Sequence, residues 1–111
     1  MDIKTIQKEG YAILSVNSER LDSHTTPKLN AELVILSGKH VENLIIDLSG
    51  CTYCDAAGLS TIMIAHRLCK NGRLILCNLS TSVETMLAIQ RFDPPLTIVS
   101  DLQEAESRFN A

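Results

Sequence analysis

Hydrophobic positions along this chain switch repeatedly between the alternating period of strands and the three-and-four spacing of helices. Ile3 to Gln7 and Tyr11 to Val16 read as two short strands joined through Lys8-Glu9-Gly10, where glycine supplies a positive φ, so a hairpin is expected. Thr25-Thr26-Pro27 then gives a helix entry, with a hydroxyl to cap exposed amides and a proline whose fixed φ suits the first turn. Leu29, Leu33 and Leu36 form its buried stripe, and Gly38 marks the exit. Val41 to Leu48 is the central strand. Its Leu44-Ile45-Ile46 run is apolar on both faces, as expected where a sheet is covered from each side.

The second half repeats the alternation. A helix is expected from about Ala56 to Lys70, ending at Asn71-Gly72 in a left-handed turn, followed by a strand from Arg73 to Asn78 and a helix from Ser82 to Arg91. Asp93-Pro94-Pro95 breaks the chain before a short strand, Leu96 to Val99, and a final helix, Leu102 to Phe109. No linker, repeat or low-complexity tract interrupts this order, so residues 1–111 read as one continuous domain. The fold class is α/β, with a mixed, mostly parallel sheet of four to five strands, about four helices and right-handed crossovers.

Composition narrows the function classes. With 45% apolar residues against 21% charged, the chain has the balance of a globular protein, and its low aromatic share leaves Leu, Ile, Val and Ala to fill the core. The net charge of −3 and the absence of a Lys/Arg cluster argue against binding DNA or RNA, whose phosphates demand a basic footprint. No apolar stretch of about eighteen residues is present, and the amino terminus lacks the parts of a signal peptide. The expectation is a cytoplasmic protein with no direct membrane insertion.

Four cysteines raise a chemical question. Cys51 and Cys54 make a C-x-x-C just before a helix start, a position that lowers a thiol pKa. Cys69 and Cys77 form no second chelating pair, and no histidine stands at a zinc-site spacing, so neither metal nor cofactor is expected. The competing reading is four reduced thiols serving as small hydrophobes. No G-x-S-x-G, P-loop, H-E-x-x-H or dinucleotide glycine pattern occurs, and Asp22 with Asp55 is a thin basis for acid–base work; no enzyme is expected.

Asp47-Leu48-Ser49-Gly50 ends the central strand, and Cys54-Asp55-Ala56-Ala57-Gly58-Leu59 opens the next helix at the carboxyl edge of the sheet, the usual place for function in open α/β folds. Together with Leu21-Asp22-Ser23-His24-Thr25 at the first helix entry and the order of elements, these residues resemble the anti-sigma factor antagonist family, whose module is the STAS domain. The resemblance spans nearly the whole chain. It implies a bacterial, non-catalytic regulator of transcription that works by partner switching: it binds an anti-sigma factor, often a serine kinase-like protein, and so releases a sigma factor.

In that family the kinase modifies the serine or threonine directly after the motif aspartate, and the added charge switches binding off. Here that position is Ala56, followed by Ala57, so no phosphoacceptor stands at the motif. Either the protein binds permanently, or it serves another partner, or control has moved to Thr52, Ser60 or Thr61. Those hydroxyls, and Asp55 as a helix cap, also have plain local roles.

At 100° per residue, Leu59, Ile62, Met63, His66 and Cys69 form the expected buried stripe of this helix, while Ala57, Thr61, Ile64 and Leu68 form a second one. That second stripe is either covered by another helix or open to a partner, with Arg67 and Asn71 on its rim. The expected partner-binding set is therefore Asp22, Cys54, Asp55, Ala56, Ala57, Gly58, Leu59, Thr61, Ile64 and Leu68. The alternative function is a STAS accessory subunit of a membrane transport ATPase of the lipid-transport type; a thiol enzyme using Cys51 and Cys54 comes third. Sequence leaves the oligomeric state and nucleotide binding open.

Overall fold

A computed structural model of the chain describes residues 2–110. Its first two strands, β1 (Asp2–Lys8) and β2 (Tyr11–Asn17), form the expected antiparallel hairpin, turning at Gly10 with φ +89°. After the two-residue strand β3 (Arg20–Leu21) come helix α1 (Thr26–Gly38), strand β4 (Asn43–Asp47), the two-residue strand β5 (Tyr53–Cys54) and helix α2 (Ala56–Leu68). Strand β6 (Arg73–Cys77), helix α3 (Thr81–Ile89), strand β7 (Thr97–Val99) and helix α4 (Leu102–Asn110) complete the order.

The main sheet runs β1-β2-β4-β6-β7, and every pair after the hairpin is parallel. Leu14, Ile46 and Leu76 therefore stand in register across three neighbouring strands. They point into a core that α1, α2 and α3 cover with Leu29, Leu33, Ile62, Ala65, Val83 and Leu87. The opposite face carries Ile13, Ile45 and Ile75 beneath α4, closed by Ala105 and by Phe109 stacked on Tyr11 at 5.2 Å. Burial on both faces accounts for the unbroken apolar runs in β4 and β6.

Several local expectations are corrected. Thr25 makes no side-chain cap to α1; its Oγ1 accepts from the Asp22 amide at 2.9 Å instead. Gly38 is the last residue of α1, and the left-handed turn falls on His40 (φ 60°). Gly72 has no positive φ. It is required because a Cβ there would lie 2.2 Å from the Glu42 carbonyl oxygen, where the chain entering β6 crosses the start of β4. The ladder of β3 with β5 had no counterpart in the sequence reading.

Candidate functional site

The corner at the start of α2 is built mainly by backbone. Arg20 pairs with Tyr53 and Leu21 with Cys54 in a parallel ladder. The Glu19 carbonyl accepts from the amides of Thr52 and Tyr53, and the Leu21 carbonyl from that of Asp55. Asp55 then caps α2, its Oδ1 accepting from the amides of Ala57 at 2.9 Å and Gly58 at 3.1 Å, which satisfies donors that a helix start leaves open. Gly58 lets the helix seat directly on β3: a Cβ there would be 2.4 Å from the Leu21 carbonyl oxygen and 2.6 Å from Cys54 Sγ.

Asp22 stiffens the neighbouring loop. One oxygen takes the His24 amide at 3.0 Å and the other the Arg20 Nε at 3.0 Å. The Arg20 bond is the main reason its carboxyl titrates below the ordinary carboxylate range. Arg20 in turn lies over the Tyr53 ring, 4.1 Å from its centre. Neither Arg20 nor Tyr53 was singled out from sequence, because two-residue strands carry no period. The Arg20-x-Asp22 spacing, which puts alternate residues on one side of an extended chain, was the available signal. At the end of β4, Asp47 Oδ1 accepts from the Ser49 amide, the Ser49 hydroxyl and the Asn78 amide group, so this aspartate shapes its own turn.

The expected site residues divide by burial. Ala56 is exposed, while Asp55, Ala57 and Leu59 are half-buried. Cys54, Gly58 and Asp22 are buried and shape the corner from beneath. On α2 the buried stripe is Gly58, Thr61, Ile62, Ala65 and Cys69. Relative to the expected stripe it is rotated by roughly 80° about the helix axis, taking 3.6 residues per turn. Met63, expected to be inside, is 40% exposed, whereas Thr61 is 1% exposed and donates to Asn30 Oδ1 of α1 at 2.9 Å. The second stripe is thus divided: Thr61 lies under α1, Leu68 is half-buried and Ile64 is 36% exposed. Running back from the corner, the open face of α2 is Ala56, Ser60, Met63 and Arg67 with Ile64 beside them, and Tyr53 extends it at the front. Ser60 is exposed and Thr52 lies in the bend before β5; Thr61 alone of the three hydroxyls is withdrawn from solvent.

The thiols do not have the low pKa expected of a reactive pair. All four cysteines are free and buried. Burial pushes Cys54 and Cys69 up to about 11 and Cys77 to about 12, and it also raises Cys51. At the start of α2, desolvation is the largest cause of the Cys54 shift, and the neighbouring Cys51 and Asp55 add to it. Among the described residues no helix is long and apolar enough to cross a membrane.

The family model of the STAS domain matches residues 2–105. An anti-sigma factor antagonist from Mycobacterium paratuberculosis superposes with a TM-score of 0.85 at 17% identity, covering 99% of this chain and 94% of that one. A STAS domain anti-sigma-factor antagonist from Planctomyces limnophilus gives 0.84 at 17% identity, covering 96% and 95%. The Bacillus cell fate determinant SpoIIAA in its phosphorylated form gives 0.77 at 17% identity, covering 97% and 99%. At such identity the likeness is one of fold.

Proposed function

Because the chain belongs to the STAS domain family, we propose that it is a non-catalytic interaction module that binds an anti-sigma factor of the serine kinase type and so releases a sigma factor. The partner meets the exposed Ala56 corner, flanked by Tyr53 and Arg20 and continued by Ser60, Met63 and Ile64 along α2. The observation carrying this reading is the corner itself: a backbone-braced, side-chain-poor helix start open to solvent at the sheet's carboxyl edge. Its structural neighbours include anti-sigma factor antagonists and a phosphorylated SpoIIAA. Ala56 offers no hydroxyl for such a phosphate, so binding here is constitutive with respect to the motif.

The test is titration of an anti-sigma factor from the same cell with the native chain and with Ala56→Asp, which places negative charge where a modified serine would carry it. Loss of affinity with an unchanged melting curve supports the surface. Unchanged affinity refutes it.

A further inference from the structure

At the far end of α2 the molecule carries a second feature that the corner does not use. Between the last turn of α2, the start of β6 and the loop leading to β7 lies a cavity of about 420 Å³, within the size range of small-molecule sites. Its lining includes Arg67, Lys70 and Arg73, three of the ten Lys/Arg residues of a chain whose net charge is −3. All three are exposed. Ion pairs among the described residues join Lys8 to Glu106, Arg20 to Asp22 and Arg108 to Glu104, and none engages these three cations.

The opposing charge is small. Asp93 is the one carboxylate in the lining, and Glu42 is close enough to Cys69 to act on it electrostatically. The carbonyl end of α2 contributes roughly half a negative charge. Against three cations, the lining itself keeps an excess of about one and a half positive charges, which Glu42 just outside it reduces to about half a charge. Leu74, Pro94 and Pro95 give the wall an apolar part, beside Cys69, His66 and Thr97. His66 ties the two sides together: its Nε2 lies 2.7 Å from the Pro94 carbonyl oxygen, and its ring meets Phe92 edge-on at 5.3 Å.

We propose that this cavity binds a small phosphate monoester, its phosphate held by Arg67, Lys70 and Arg73 and its organic body resting on Leu74, Pro94 and Pro95. A lining that carries two guanidinium groups and an ammonium suits a tetrahedral dianion, which arginine grips through paired N–H donors. The apolar wall selects an ester over the bare ion. The 13 residues of α2 put the cavity about 20 Å from Ala56 at 1.5 Å per residue, so the phosphate lies far from the corner, with Arg67 one turn beyond Met63 and Ile64 on the open face of the helix.

Phenyl phosphate is the probe, titrated into the full ¹⁵N-labelled chain at constant ionic strength, with inorganic phosphate and benzoate as parallel arms. Saturating shifts are expected at the amides of Arg67, Lys70, Arg73 and Thr97, with Ala57 and Gly58 unmoved. Phenyl phosphate should bind at least tenfold more tightly than benzoate and several-fold more tightly than inorganic phosphate. Lys70→Glu, and separately Arg67→Glu with Arg73→Glu, should each weaken it tenfold or more without lowering the melting temperature. Shifts that never saturate or spread evenly over the surface lysines overturn the proposal, as does indifference to charge reversal. Equal binding of benzoate removes the phosphate from it, and equal binding of inorganic phosphate removes the ester.

Discussion

The two ends of α2 solve different problems with the same two devices. A glycine marks the close approach at each: Gly58 seats the front of α2 on β3, and Gly72, in the turn after the helix, lets the chain entering β6 cross the start of β4; a buried cysteine stands at each end, Cys54 before the helix and Cys69 after it. The front presents alanines and one capping carboxylate; the back presents three cations around a cavity, none in an ion pair among the described residues. The glycine contacts thus fix where the chain runs at each end, and the surrounding side chains set what each end presents to solvent.

The largest expected effect comes from forcing a side chain into either contact. Gly58→Ala should destabilise the fold by about 3 kcal/mol, the upper part of the usual overpacking range, because the nearest atom is a backbone oxygen that cannot swing away. Urea unfolding measures it, and Gly72→Ala should match it. A loss at one end only would break the equivalence.

Next come the thiols. Moving a pKa from the ordinary 9.0 to about 11 leaves roughly a hundredfold less thiolate at neutral pH, so Cys54 and Cys69 should both react that much more slowly in the native protein than in the denatured chain. Folding favours the protonated thiols. Their stabilisation is therefore complete below pH 9 and is lost as pH rises through about 11 and 12. Fast labelling of Cys54 alone would show that the helix start does activate it.

Ala56→Asp should lower partner affinity about tenfold or more, read by calorimetry, while Lys70→Glu at the opposite end leaves that affinity unchanged. Asp55→Ala removes a cap and should cost about 1 kcal/mol in thermal unfolding. Smallest is Tyr53→Ala, which exposes the Arg20 guanidinium on one side and should barely move the melting temperature. A clear drop would give that stacked pair a structural role.

The hairpin, β4, β6 and all four helices were legible because their apolar residues recur over five positions or more. Strands β3 and β5 were not, since two residues define no period and their pairing joins segments 33 positions apart. The face of α2 was misjudged for a related reason. Centring the helix on Leu59, the largest residue near its start, put Met63 inside, whereas the true contact is centred where side chains are smallest, at Gly58, Thr61 and Ala65. The corner motif was visible; its Arg20–Tyr53 flank needed the chain folded. The cationic cavity likewise gathers residues from a helix end, a strand start and a distant loop, a juxtaposition no local pattern encodes.

Asp55 and the short ladder hold the main chain at position 56 whatever its side chain does, so the shape of that bend is insulated from the identity of its most prominent residue. A lineage carrying this scaffold can gain or lose a hydroxyl there in a single substitution without rebuilding the neighbourhood. Regulation by covalent marking becomes an option that evolution can add or discard, while the surface it would govern persists.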